Sequence, residues 1–169
     1  MGTGCGILGI IAASTAARVV AVDINPHAVQ CAVENARLNR VANRMLFVQG
    51  SLFSPIRDET KFDLITFNAP YLPSEPSERG SWLELAWKGG YDGREIIQQF
   101  VREAPRFVKA RGCIFLMQST LADVDRTLGS LMARGLRAEV VEKRALPFFE
   151  DVVLLRAQNV GALRRVDTI

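Results

Sequence analysis

Four consecutive residues, Asn68, Ala69, Pro70 and Tyr71, are suited to holding a planar amino group. They follow an apolar run, residues 62–67, that predicts a buried strand. The Asn68 side-chain oxygen can accept one N–H, and a backbone carbonyl beside Pro70, which has no N–H to continue a strand ladder, can accept the other. The Tyr71 ring can cover the flat face of an amide or a base. The segment therefore predicts methyl transfer to an amide or exocyclic amine, provided that a cofactor site accompanies it.

A glycine-rich loop at residues 2–6 is the candidate for that cofactor site. Glycines allow a sharp turn and a close approach of the backbone to a ligand. A second apolar strand, residues 18–22, ends at Asp23, and an acid at this distance from the glycines is placed to bind ribose hydroxyls. The glycine pattern alone also fits a nicotinamide dinucleotide site or a purely structural turn. Together with Asp23 and the Asn68 segment, it favours S-adenosylmethionine.

The bulk composition bounds the class of protein. A chain of 169 residues with 49% hydrophobic and 23% charged residues fits one globular domain with a core. Its three cysteines lie at unrelated spacings, which predicts neither a metal site nor a disulfide framework and is typical of a reducing compartment. The net charge of +3, without a basic run interleaved with aromatics, does not indicate a nucleic-acid partner. No apolar run approaches the ~20 residues of a membrane span, so we expect a cytoplasmic protein.

Strands and helices alternate along the chain, which predicts a parallel α/β sheet. Asn25 and Pro26 read as the N-cap and first position of a helix. Asp92 and Glu95 read as a capping pair at the start of another. The expected strands are 18–22, 45–48, 62–67, 112–117, 136–143 and 151–157, the last two joined through Pro147, and the expected helices are 7–17, 26–39, 92–110 and 121–134.

A long polar loop, residues 72–91, separates the acceptor segment from the helix at residue 92. Loops of this length inside a compact domain are usually functional. Trp82 and Trp87 are large aromatics in a Pro/Gly-rich setting, which favours a lid over the acceptor pocket. The alternative is that both rings simply anchor the loop to the core.

These segments together resemble the HemK-like family of release-factor glutamine methyltransferases, which are class I S-adenosylmethionine-dependent enzymes. The most specific segment, residues 85–95, is similar to the archaeal and eukaryotic branch. The resemblance extends to about Gln158, so we expect a methyltransferase domain at 1–158 and a tail at 159–169. It implies a Rossmann-like sheet with helices on both faces and a C-terminal antiparallel strand. The segments that carry the resemblance are 2–6, 22–25, 67–71 and 85–95.

The resemblance also implies residue roles and partners. The glycines would line the methionine part of the cofactor, Asp23 would bind the ribose, and Ser51 would lie near the adenine. The acceptor amide would be held by Asn68, Ala69, Pro70 and Tyr71, with Asn68, Pro70 and Tyr71 as the catalytic group and no metal. The implied substrate is a peptide-chain release factor, with a small zinc-binding activator subunit as a further partner. The implied cofactor-binding residues are Gly2, Thr3, Gly4, Gly6, Asp23, Ile24, Ser51, Leu52 and Asn68.

Three departures from the family pattern bear on these expectations. Ala69 stands where the family usually has proline, and Ser51 stands where it usually has an acid. The third departure is the missing first strand, because a glycine loop of this kind should follow a strand and here it begins at Met1. We therefore expect Met1 to be an internal methionine of a longer reading frame and the chain to be truncated at its N-terminus.

Three functions remain open at this stage. The first is methylation of a glutamine amide in a release factor. The second is methylation of an exocyclic amine of adenine or guanine in nucleic acid, or of another protein side chain, because a fold does not decide a substrate. The third is a truncated, non-catalytic domain. Cofactor binding separates the third from the others, and transfer to release factor or to RNA separates the first two.

Overall fold

The computed structural model describes residues 1–74, 81–146 and 150–160, in which helices and strands alternate. Short 3-10 helices at Ala42–Arg44, Glu84–Ala86, Ala104–Arg106 and Thr120–Ala122 connect the main elements. The helices are α1 (Ile7–Ala12), α2 (Pro26–Leu38), α3 (Glu95–Glu103) and α4 (Val124–Met132). The strands are β1 (Val19–Asp23), β2 (Met45–Gln49), β3 (Phe62–Asn68), β4 (Val108–Ser119), β5 (Arg137–Ala145) and β6 (Asp151–Gln158). Within these ranges no helix has both the length and the apolar character needed to cross a bilayer.

The strands form two sheets. In the first, β1 and β2 pair in parallel, and in the second the order is β3-β4-β6-β5. Strand β3 is parallel to β4, whereas β6 runs antiparallel to both β4 and β5. The expected α/β architecture with a C-terminal antiparallel strand is therefore confirmed. The tail predicted at 159–169 lies outside the described residues from 161 onward, as does the predicted connection through Pro147.

Several boundaries differ from the sequence-based expectation: α1 ends at Ala12 rather than residue 17, α4 spans Val124–Met132 rather than 121–134, and the limits of α3 and β4 differ for the following physical reasons. Helix α3 begins at Glu95 rather than residue 92, because Gly93 has a φ of 70° and does not continue a right-handed helix. The expected capping pair is wrong: the Asp92 carboxylate accepts from the Arg94 N–H at 3.1 Å, but no side chain caps α3. The helix ends at Glu103, just before Pro105, whose missing N–H interrupts it. Strand β4 then begins at Val108, four residues earlier than predicted.

A cleft of about 690 Å³ separates the two sheets, lined by β1 on one side and β3 on the other. Among the described residues, no strand pairs with the edge of β1 or the edge of β3 that borders this cleft. Residues 1–3 bridge it: the Met1 amino group donates to the Thr66 carbonyl at 2.8 Å, and the Thr3 N–H donates to the Val22 carbonyl at 2.9 Å. Burial lowers the pKa of that amino group to about 6, against the opposing influence of the Asp23 carboxylate.

The main core lies in the larger sheet and fixes the end of β3. The Phe67 ring lies 4.8 Å from that of Phe100 on α3, centre to centre. The Phe53 ring stacks on Phe107 at 4.5 Å. Phe100 and Ile114 are fully buried. This aromatic cluster holds the residue that directly precedes Asn68.

The segment before α3 folds back on the chain that follows β3. The Leu72 N–H donates to the Trp87 carbonyl at 3.0 Å, and the Gly89 N–H donates to the Leu72 carbonyl at 2.8 Å. Gly93 approaches most closely, since a Cβ atom built there would lie 2.3 Å from the Tyr71 carbonyl oxygen. Only glycine fits this contact, and it fixes the backbone of the acceptor segment.

We predict that Gly93→Ala lowers the free energy of unfolding by about 1–3 kcal/mol, because it combines an unfavourable φ with an overpacked contact. Urea unfolding followed by circular dichroism measures the change. Gly129→Ala in α4 is the matched control, since no atom lies within 4 Å of a Cβ built there. Alanine at that helix position should stabilise by roughly 0.5–1 kcal/mol. Equal effects of the two substitutions would contradict the contact at Gly93.

Candidate cofactor and acceptor site

The glycine loop lies between the ends of β1 and β3 and contacts both. The Gly4 N–H donates to the Asp23 carboxylate at 2.8 Å. On the other side, a Cβ atom built on Gly2 would lie 3.0 Å from the Phe67 ring and 3.9 Å from the Asn68 carbonyl oxygen. The structure therefore brings the predicted cofactor loop and the predicted acceptor segment together.

The loop has the shape that a ligand cradle requires. Gly4 has a φ of 53°, and a Cβ atom built there would meet no atom within 4 Å, so the chain leaves open space beside it. Gly6 has a φ of 89° and approaches α2, where a Cβ would lie 3.0 Å from the Cβ of Ala32. Gly4 borders open space, and Gly6 allows the loop to pack closely against α2. This arrangement fits the methionine part of the predicted cofactor.

Asp23 is positioned by the backbone around it. One carboxylate oxygen accepts from the Gly4 N–H, and the other accepts from the Asn25 N–H at 2.9 Å. Each carboxylate oxygen can accept more than one hydrogen bond, so capacity remains for ribose hydroxyls. Ile24 follows directly and is 44% exposed, which presents apolar surface beside the carboxylate. A carboxylate beside an apolar side chain suits the ribose and the base of a nucleoside, respectively.

Ser51 and Leu52 lie in the turn after β2. This turn is tied to the end of β1, because the Gly50 N–H donates to the Asp23 carbonyl at 2.9 Å. Ser51 is half-buried, and its hydroxyl bonds no other described residue. Leu52 is 7% exposed, packs in the core and has a φ of 45°. Its side chain therefore serves packing, and what it can offer a cofactor is its backbone.

The acceptor segment continues from the end of β3. Asn68 is exposed, and its side-chain amide makes no hydrogen bond to another described residue. Ala69 is buried, and its N–H donates to the Met117 carbonyl at 3.2 Å. The N–H that alanine adds relative to proline is thus satisfied by β4. The arrangement leaves the Asn68 side-chain oxygen able to accept a hydrogen bond from the N–H of the group that would be methylated.

Pro70 and Tyr71 are half-buried beyond Ala69, and the Pro70 peptide bond is trans. Burial raises the pKa of the Tyr71 phenol, and the Glu150 carboxylate raises it further. The phenol is therefore neutral near pH 7. Tyr71 can cover a ligand or donate a hydrogen bond, but it is not a general base.

Arg94 is a buried residue that the sequence analysis did not single out. Its Nη1 donates to the carbonyls of Ala122 and Asp123 and to the Thr127 hydroxyl. These bonds anchor the Gly93 segment to the start of α4. The only sequence signal for this role is the position of Arg94 within the family-like segment 85–95.

The lid predicted for residues 72–91 lies partly outside the described residues, which omit 75–80. Trp82 is 43% exposed and Trp87 is 40% exposed. The Lys88 ammonium lies 5.6 Å from the centre of the Trp87 ring. The lid stays a prediction.

The known proteins that this chain resembles are methyltransferases. The family model for ribosomal protein L11 methyltransferase (PrmA) matches residues 1–69. A protein N5-glutamine methyltransferase of Methanocaldococcus jannaschii is 39% identical over 156 residues, covering 91% of this chain and 77% of that protein. Methyltransferase HEMK2 of Homo sapiens is 32% identical, with 85% and 69% covered. The release factor glutamine methyltransferase of Aquifex aeolicus is 32% identical, and the chain spans only 42% of its length.

Solved structures show the same fold. The E. cuniculi Mtq2–Trm112 complex, responsible for methylation of the translation termination factor eRF1, matches with a TM-score of 0.57 and 19% identity. The match covers 91% of this chain and 93% of that one. The predicted class I methyltransferase fold is therefore confirmed.

The expected enzyme class, an S-adenosylmethionine-dependent N-methyltransferase, is confirmed by these relatives together. With 39% identity to a glutamine methyltransferase of which it covers 77%, the chain belongs to the HemK-like family of protein glutamine methyltransferases.

Proposed function

We propose that this chain transfers the methyl group of S-adenosylmethionine to the side-chain amide of a glutamine in a peptide-chain release factor. The observation that carries the proposal is the exposed Asn68 amide, unbonded among the described residues, at the end of β3 and beside the glycine loop. A planar amide placed there could donate an N–H to the Asn68 side-chain oxygen, next to the loop that would hold the cofactor. The names of the bacterial relative and of the eRF1-methylating complex support the substrate class.

In this proposal the cofactor is held by the loop at residues 2–6 and by residues at the ends of β1 and β2. The loop at 2–6 lines its methionine part, Asp23 accepts from its ribose hydroxyls, and Ile24, Ser51 and the Leu52 backbone border its adenine. When bound, the cofactor supplies an electrophilic sulfonium methyl group. The remaining chemistry is the positioning of the acceptor nitrogen, which is the role of residues 68–71.

An amide nitrogen is a poor nucleophile because its lone pair is delocalised into the carbonyl. The Asn68 oxygen and a backbone carbonyl at Ala69–Pro70 accept its two N–H groups and orient the nitrogen toward the methyl carbon, and such positioning supplies much of the rate. Residues 68–71 would hold the nitrogen in line with the methyl group, which the bound cofactor would supply with loss of its sulfonium charge. The extra proton leaves the nitrogen afterwards to water, so a neutral Tyr71 is compatible with the reaction.

The proposal extends to partners and location. The Mtq2–Trm112 complex supports a small activator subunit, and we infer that this subunit carries the zinc-binding function expected from the sequence. We also infer a cytoplasmic location, where translation termination takes place. The methyltransferase domain would span residues 1–158.

The decisive experiment measures methyl transfer from radiolabelled cofactor to purified release factor and, separately, to RNA. Both arms are run with and without a candidate activator subunit, and cofactor binding is measured by calorimetry. Methylation of release factor at a glutamine supports the proposal. Transfer to RNA alone would establish the nucleic-acid alternative, and absence of cofactor binding would establish a non-catalytic domain.

We predict that Asn68→Ala lowers turnover by about 100-fold and weakens cofactor binding far less, because its main role is to orient the acceptor amide and misplacement of a reacting atom has a cost of this size. Calorimetry and single-turnover kinetics measure the two quantities. Asn43→Ala, an exposed asparagine in the 3-10 helix before β2, is the matched control and should leave both unchanged. Near-normal turnover of Asn68→Ala would remove the basis of the acceptor site.

We predict that Asp23→Asn weakens cofactor binding by roughly tenfold or more, because hydrogen bonds to charged groups contribute about 1.5–3 kcal/mol. Calorimetric titration measures the change. A thermal melt separates it from loss of the Gly4 and Asn25 contacts that Asp23 also makes. Asp58→Asn, an exposed acid paired with Arg106, serves as the control. Unchanged affinity in a folded Asp23→Asn protein would place the cofactor elsewhere.

A further inference from the structure

Four arginines border one cavity between α3 and α4, away from the predicted methyltransferase site. The cavity has a volume of about 140 Å³, and its walls include Gln98 and Ser130 but no acidic side chain. Within the part of the chain that the structure describes, none of the four arginines forms an ion pair. We call this the arginine cavity; its arginines are Arg94, Arg102, Arg126 and Arg134.

Arg94 is the buried member, with only 3% of its surface exposed. Its Nη1 donates to backbone carbonyls and to the Thr127 hydroxyl, but its buried Nε has no hydrogen-bond partner among the described residues. A buried charge with an unmet donor is costly unless an anion compensates it. Burial lowers the pKa of this guanidinium, Arg126 lowers it further, and Asp123 and Asp92 oppose the shift.

The two nearby carboxylates already have other partners. Asp123 accepts from the Arg126 N–H at 3.0 Å and caps α4. Asp92 accepts from the Arg94 N–H at 3.1 Å. Neither side chain lines the arginine cavity. The concentration of positive charge therefore lacks a counterion within the cavity itself.

We propose that the arginine cavity binds a phosphate-type oxyanion, either inorganic phosphate or the phosphate of a phosphomonoester. A tetrahedral dianion offers several acceptors to planar guanidinium groups, which bind phosphate through paired N–H bonds. Its negative charge would also offset the buried charge of Arg94, which lines the cavity. A cavity of about 140 Å³ fits one such group rather than an extended nucleic-acid strand. None of its walls belongs to the residues assigned to methyl transfer, so the inference goes beyond the proposed function.

The test is calorimetric titration of the full chain with inorganic phosphate, at an ionic strength held constant with sodium chloride. A second arm uses O-phosphoserine. Saturable binding of phosphate alone supports a site for the free ion, and binding of both supports a site for a phosphomonoester. Arg94 is left unchanged in every protein used, because its loss could unfold the chain.

The variant for this test is Arg102→Gln combined with Arg126→Gln, since both side chains are exposed and removable without a core cavity. Its affinity for phosphate should fall at least about tenfold, because each charge-assisted hydrogen bond contributes on that scale. Arg37→Gln on α2 is an exposed control and should bind as the unmodified chain does. Absence of saturable binding, or equal binding by the folded double variant and the control, would overturn the proposal.

Discussion

Two sets of contacts join the two sheets: the backbone of the first three residues, and the Phe53 side chain, which follows β2 and stacks on Phe107 in the main core. Met1 bonds to β3 through Thr66, and Thr3 bonds to β1 through Val22. The glycine loop begins at this backbone bridge, so the bridge contributes to the distance between the Asp23 carboxylate and the Asn68 amide. A site for methyl transfer needs cofactor and acceptor in one geometry, and here hydrogen bonds of about 1 kcal/mol each act together with the packing of Phe53 in the core.

Residues 1–3 connect two strands whose edges border the cleft, and exposing those edges is unfavourable. Apart from the bonds of Met1 and Thr3, the edges of β1 and β3 that face the cleft pair with no strand in the described part of the chain, and an unpaired edge is a template for pairing with other chains. The bonds of Met1 to Thr66 and of Thr3 to Val22 therefore compete with pairing of the same strand edges to other chains.

Elements with strong local signals could be predicted from the sequence. Asn25 caps α2 by accepting from the His27 N–H at 2.9 Å, and Pro26 occupies its first turn, as the pattern indicated. The limits of α3 could not be predicted in the same way. The φ of Gly93 is fixed by its contact with the Tyr71 carbonyl, which is distant in sequence, and hydrophobic periodicity carries no information about that contact.

The same distinction applies to the candidate site. The positions of Asp23 and Asn68 could be predicted because each is a polar residue directly at the end of an apolar strand, while their roles stay predictions. The buried side chain of Leu52 and the anchoring role of Arg94 could not be predicted, because both depend on partners that only tertiary packing brings near.

Gly93 and Arg94 link the acceptor segment to the helical layer. The backbone of Gly93 abuts the Tyr71 carbonyl, while the next residue is anchored to Ala122 and Thr127 at the start of α4. Adjacent residues that are fixed to different elements transmit a displacement of one to the other, since packed interiors deform little. The backbone of Tyr71, whose ring would cover the acceptor amide, therefore packs against a segment that is anchored to α4, although no residue of α4 belongs to the predicted site.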